Sequence, residues 1–102
     1  MPIAIHAKNF TLPENIKEKV EEKCEKLMHL SRDFFDESSS IRVEFELISK
    51  EKNLFHGTVT ITLPGDTLRA EDTEKQNLLS IMDELEKEIR PQIERHKAKH
   101  QK

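Results

Sequence analysis

Apolar residues recur every three or four positions in two segments of the chain, which is the spacing of one buried helix face. The first segment runs from about Pro13 to Leu30, and its stripe is Ile16, Val20, Cys24, Leu27 and Leu30. Thr11 and Glu14 stand three residues apart, as in a capping box, and Pro13 suits a first helical turn. We therefore predict a helix over this segment.

The second helical segment runs from about Glu74 to the high nineties. Its stripe is Leu78, Met82, Leu85, Ile89 and Ile93, with His96 as an optional last member. Pro91 falls inside this pattern and removes one backbone donor, so we expect it to bend the helix or to end its regular part.

Between the two helices the apolar period changes to two, which indicates strands with one buried face. Residues 41–48 and 55–63 alternate in this way, and a polar hairpin loop, Ser49 to Asn53, separates them. The turn signal Pro64-Gly65-Asp66 precedes a short strand from Thr67 to Ala70. The start of the chain adds a strand with Ile3, Ile5 and Ala7 on one face.

The resulting order, β-α-β-β-β-α, predicts an α+β fold. Its simplest packing is a two-layer sandwich, in which a four-stranded sheet carries both helices on one face. The length of 102 residues fits a single domain, and we expect residues 98–102 to form a frayed basic tail. The segment 31–40 reads as an acidic surface loop.

Charge is unevenly distributed along the chain. There are 17 basic and 20 acidic residues, so the net charge of −3 argues against a general polyanion binder. Residues 71–88 are strongly acidic, whereas residues 90–102 hold five basic residues and only one acid, Glu94. The sequence thus predicts a local basic patch, which includes Arg90, Arg95, Lys97 and Lys99, on an acidic body.

Known catalytic and cofactor motifs are not found in the sequence. There is no nucleophile motif and no glycine-rich phosphate loop, and we expect no enzyme activity, cofactor, small-molecule substrate or metal. We interpret Cys24 as an inert buried thiol, and His96 and His100 as solvated residues or members of the basic patch. With no signal peptide or membrane span visible, a cytoplasmic protein is the default expectation.

Several motifs together resemble the ribosome hibernation factors, the family of hibernation promoting factor and the ribosome-associated inhibitor, whose relatives are also named sigma-factor modulation proteins. Each motif is weak alone, but their order along nearly the whole chain is fairly specific. They are Ile3-x-Ile5-x-x-Lys8-Asn9, Glu25-Lys26-Leu27, Leu63-Pro64-Gly65-x-x-Leu68-x-Ala70, and the final helix from Met82-Asp83 to His96-Lys97.

This resemblance implies a fold similar to a double-stranded RNA-binding domain with an added strand. It also implies a bacterial protein that binds the small ribosomal subunit, in the channel of messenger and transfer RNA, and inhibits translation in stationary phase or stress. Because the sequence stops soon after the second helix, we expect a short form without the C-terminal dimerisation domain of longer relatives.

The resemblance also supplies candidate contacts to ribosomal RNA, one residue at a time. Positions matching basic positions of the family are Lys8, Lys23, Lys26, Arg95, His96 and Lys97, and the basic patch adds Arg90 and Lys99. Three residues depart from the family, since Glu88, Pro91 and Glu94 stand where relatives often carry Lys or Arg. The alternative is a regulatory protein-interaction module of the same fold that does not bind the ribosome.

Overall fold

The structure, a computed structural model, describes residues 2–100. The elements are β1 (Ile3–Lys8), α1 (Glu14–Leu30), β2 (Ser40–Ser49), β3 (Leu54–Leu63), β4 (Asp66–Lys75) and α2 (Leu78–His100). They form one sheet in the order β1-β2-β3-β4, in which β1 pairs with β2 in parallel and the other neighbours are antiparallel. The predicted α+β fold is therefore confirmed.

The core lies between the sheet and the two helices. Alternate residues of β2 and β3 point into it, and the central residues of both predicted helix stripes are buried against them, whereas Ile16, Leu30 and Leu78 at the stripe ends are partly buried. α2 lies across β3 and β4, whereas α1 packs against β1 and α2. One core residue outside the predicted stripe is Ile81, which fits because Gly57 of β3 has no side chain: a Cβ there would clash with the Ile81 side chain.

The boundary between the last strand and the second helix differs from the prediction. β4 continues to Lys75 instead of ending at Ala70, because its acidic second half pairs with β3 as far as Phe55. A β-bulge at Glu74, with a φ of 60°, absorbs the register shift near that end. α2 begins only at Leu78, where the Asn77 side chain accepts hydrogen bonds from two backbone N–H groups.

One prediction about helix ends is wrong, and one of the two alternatives predicted for Pro91 is excluded. The capping box of Thr11 and Glu14 is not formed, since α1 begins after Pro13 without a side-chain cap. Pro91 does not end the regular helix, which continues to His100. Because Pro91 has no backbone N–H, the carbonyl oxygen of Lys87 lacks its intrahelical donor. Lys87 is exposed, so water can donate to this carbonyl instead. Residues 98–100 of the predicted tail therefore lie in the last turn of α2.

Candidate nucleic-acid interface

The C-terminal half of α2 is fixed to the edge of the sheet by Gln92. Its side-chain amide donates to the carbonyl oxygen of Arg69 at 2.7 Å, and its amide oxygen accepts from the Arg69 N–H at 3.2 Å. Gln92 thereby occupies both backbone groups of Arg69, which edge strand β4 could otherwise offer to another strand. This contact fixes the position of the basic end of α2 relative to β4.

A second anchor is His96, one turn further along α2. Its ring is only 3% exposed, and Nδ1 lies 3.0 Å from Oδ2 of Asp66, at the start of β4. Phe34 packs edge-on against the ring at a centroid distance of 4.9 Å. The hydrogen bond from His96 is the main cause that lowers the pKa of Asp66 below its ordinary value of 3.8.

The expectation that His96 is solvated is therefore wrong, whereas its place at the end of the apolar stripe is confirmed. A histidine at a stripe position can be buried when a carboxylate receives its ring N–H. That carboxylate belongs to Asp66, far away in sequence, so the helix pattern alone could not identify it. We regard His96 as an anchor for the neighbouring cations.

The predicted basic patch divides between two sides of α2. Arg90 and Lys97 are seven residues apart and so share one helix face, which is the face toward α1, because Arg90 lines a groove there. Lys99 is seven residues from Gln92 and shares the side toward β4, where its charge helps to lower the pKa of Asp66. Arg95, three residues from Gln92, lies on that side too.

On the side toward α1, the two helices gather cations around an open groove of about 650 Å³. Its basic side chains are Lys26, His29 and Arg32 from α1 and the following turn, and Arg90 from α2, and two acidic side chains of α1, Glu22 and Glu25, also line it. Arg32 was missed by the sequence reasoning because it lies past the end of α1, where helical periodicity no longer applies. Its guanidinium donates to the carbonyl oxygen of His29 at 2.9 Å, which holds it beside the groove.

Lys23 lies in the seam between the helices, next to this groove. Its Nζ is 2.9 Å from Asp83 Oδ1 and 3.6 Å from Glu86 Oε1, both on α2. The hydrogen bond to Asp83 is the main cause that raises the pKa of Lys23. The other carboxylate oxygen of Glu86 lies 4.0 Å from Arg90, so two candidate RNA contacts share one carboxylate.

Lys8 is separated from the helix cations. It lies on β1, and its Nζ is 3.8 Å from Glu46 Oε2, a residue of β2 that points to the outer face of the sheet. Nearby on that face, Arg42 pairs with Glu44 at 3.2 Å. This face thus combines both signs of charge. The groove between the helices does so too, but there the three cations Lys26, Arg32 and Arg90 outnumber the two glutamates.

Residues 2–100 also bear on the predictions about metal binding and membrane spans. No group of three or more His, Cys, Asp or Glu side chains there could hold a metal ion. Within the same residues, no helix is long and apolar enough to span a membrane. Cys24 is fully buried in the core, and this burial raises the pKa of its thiol to about 12. Such a thiol is a poor nucleophile, as predicted.

Residues 3–101 match the family described as Sigma 54 modulation protein / S30EA ribosomal protein. The chain belongs to this family. Its members are ribosome-associated modulation and hibernation factors and are not enzymes, which confirms both the resemblance and the prediction of a non-enzymatic role. No significant match was found among curated proteins.

Two solved structures share the fold of this S30EA family member. The N-terminal domain of Protein Y from Thermus thermophilus is 25% identical with a TM-score of 0.71, over 94% of this chain and 99% of that domain. A ribosomal subunit interface protein from Coxiella burnetii is 19% identical with a TM-score of 0.71, over 96% of this chain and 99% of the other. At 19% identity, the second likeness bears on the fold alone.

Proposed function

We propose that this protein is a bacterial, cytoplasmic hibernation factor that binds the small ribosomal subunit in the channel of messenger and transfer RNA. By occupying this channel it would inhibit translation in stationary phase or stress. The observation that carries the proposal is the groove between α1 and α2, where Lys26, Arg32 and Arg90 converge on a protein whose net charge is −3. Membership of a ribosome-associated family supports it.

The mode of binding follows from the chemistry of the groove. Guanidinium and ammonium groups neutralise phosphates and release their counterions, which gives affinity without reading base sequence. The groove cations, with Lys23 beside them and Lys97 further along α2, would face the RNA backbone. Arg95 and Lys99 would add contacts on the side of α2 toward β4, and Lys8 would contribute separately from the sheet.

Sedimentation of the purified protein with small ribosomal subunits tests this proposal. At low salt the protein should co-sediment with the subunits, and raising the salt should release it, because phosphate contacts dominate the affinity. A folded protein that stays at the top of the gradient even at low salt would contradict ribosome binding. That result would favour the alternative, a protein-interaction module of the same fold.

A cell-free bacterial translation system tests the inhibitory step. Protein added before messenger RNA should reduce initiation, and excess messenger should relieve the block only partly, because transfer RNA sites would also be covered. A variant with both Lys26 and Arg90 replaced by Gln loses two groove cations and should therefore inhibit less. Full translation in the presence of excess wild-type protein at low salt would refute the inhibitor role.

A further inference from the structure

We infer that Glu86 acts as an internal competitor for RNA phosphates, holding Lys23 and Arg90 until a phosphate replaces it. The inference rests on the proposed function, because it concerns Arg90 of the same groove and Lys23 beside it. It assigns to an acidic residue of α2 the role of limiting affinity. Binding would then require an exchange of partners, from carboxylate to phosphate, at both cations.

The geometry places Glu86 between the two cations. One carboxylate oxygen lies 3.6 Å from Nζ of Lys23 on α1, and the other lies 4.0 Å from Nη2 of Arg90 on α2. The side chain is 19% exposed, so it lies deeper than Arg90, at 57%. An RNA strand approaching the groove meets Arg90 first and finds the negative charge of Glu86 directly behind it.

Asp83 also competes with phosphate for Lys23, but more weakly than Glu86 does. It forms the shorter contact with Lys23, at 2.9 Å, but its side chain is 64% exposed and its charge is well screened by water. Replacing it should therefore change binding less than replacing Glu86. The Lys23 ammonium has three donor hydrogens, so a phosphate could take over one contact while the other carboxylate keeps its own.

Electrostatics gives the direction of the effect. Partly exposed ion pairs contribute little to stability, so the two cations can leave Glu86 at small cost. The unpaired carboxylate then stands near the phosphate and repels it, by an amount that depends on the local dielectric. Glu86 should thus weaken binding, while the fold stays nearly unchanged without its charge.

The test compares Glu86→Gln with Glu88→Gln on small ribosomal subunits. Both variants remove one negative charge from α2, but Glu88 lies on the opposite side of the helix, in a groove with Arg69 and Gln92. Gln at position 86 can still accept a hydrogen bond from Lys23, which protects the fold. We expect about three- to tenfold tighter binding for Glu86→Gln at low salt and less than a twofold change for Glu88→Gln.

The salt series adds a second readout. If the freed cations gain phosphate contacts, the log–log salt dependence of Glu86→Gln should steepen by up to roughly 0.7–0.9 per contact. Combining Glu86→Gln with Lys23→Ala should reduce the gain, because one of the released cations is then missing. Thermal unfolding of each variant verifies that the fold is retained.

The outcomes separate this inference from the proposed function. Wild-type binding with equal affinities for the two Gln variants would overturn the inference and leave ribosome binding intact. If the folded wild type does not bind small subunits at low salt, the proposed function fails and the inference fails with it. If Glu86→Gln binds more tightly than the wild type and Glu88→Gln does not, both the inference and the proposed function are supported.

Discussion

On the side of α2 that faces β4, Gln92 and His96 each make hydrogen bonds to fixed partners, the backbone of Arg69 and the carboxylate of Asp66. On the side that faces α1, Glu86 and Arg90 form looser ion contacts at the edge of an open groove. The first arrangement is specific in geometry, and the His96–Asp66 bond is also partly buried. The second is exposed enough that water and salt compete with it.

The two sides of α2 therefore have different roles: the side toward β4 fixes the helix in place, and the side toward α1 offers charges that can bind RNA. A buried hydrogen-bonded group is costly to lose, because its partner is left unsatisfied, so the β4 side keeps α2 in place. An exposed ion pair contributes little to stability, so its cation can take a different anion without disturbing the fold. The helix can therefore present exchangeable charges from a fixed position.

The largest effect is expected on the side of α2 toward β4, from His96→Ala. The substitution leaves a cavity beside Phe34 and removes the hydrogen-bond donor of Asp66, so unfolding free energy should fall by about 2–4 kcal/mol. Lys97→Ala, one residue away and half-buried, should change it by less than about 0.5 kcal/mol. Equal stability of these two variants in urea unfolding would show that His96 is no anchor.

The next largest effect is expected on the side of α2 toward α1. It distinguishes the two groups of cations into which the predicted basic patch is divided. The double variant Arg90→Gln with Lys97→Gln removes two charges from the side of α2 toward α1, and it should weaken small-subunit binding by about tenfold. The salt slope should fall by roughly 1.4–1.8, which corresponds to two lost phosphate contacts. Binding measured across a salt series provides both values.

The matched control for this division removes two charges from the other side of α2. Arg95→Gln with Lys99→Gln changes the net charge equally but lies beside β4, so it should weaken binding less. Replacing Lys50 and Lys52 in the β2–β3 hairpin loop should matter least. If the β4-side pair proves as damaging as the groove pair, RNA must reach both sides of the helix.

A smaller loss is expected from Gln92→Ala, which removes both hydrogen bonds to Arg69. These bonds lie at an exposed sheet edge where water can replace them, so the cost should be about 1 kcal/mol. Glu88→Ala, one turn earlier on the same side, serves as the control and should be nearly neutral. Urea unfolding measures both, and equal midpoints would mean that Gln92 does not hold the helix.

Sequence patterns predicted the regular parts of the fold and failed where a distant partner decides the structure. β2 alternates as far as the irregularity between Leu47 and Ser49, and β3 alternates along its whole length, so their buried faces were predicted correctly. The second half of β4 reads as an acidic helix start, yet pairing with β3 keeps it extended. A local pattern contains no information about that neighbouring strand.

The candidate site shows the same division between local and distant information. Counting basic residues predicted a site at the end of α2, but it could not tell that His96 is buried against Asp66. It also could not show that Lys23 meets Asp83 and Glu86 across the helix seam. These partners come from other elements, and only the packing of α1 on α2 and of α2 on β4 brings them together.

The smallest expected effect is a pH dependence of the folding stability that comes from the charge of Asp66. Because the hydrogen bond from His96 lowers its pKa in the folded state, ionised Asp66 stabilises the fold above its ordinary value of 3.8. This contribution is lost as the pH falls through the lowered folded-state pKa.

Asp66→Asn keeps an oxygen that can accept from His96 but has no charge. The variant should therefore be less stable than the wild type near neutral pH, by less than the Gln92→Ala loss, and the two should converge below pH 3.8. Thermal unfolding from neutral pH downward measures this difference, with Asp36→Asn as the control, since Asp36 also has a lowered pKa but bonds only to its own loop. A difference between Asp66→Asn and wild type that persists unchanged in acid would mean that the anchor depends on shape and hydrogen bonding rather than on charge.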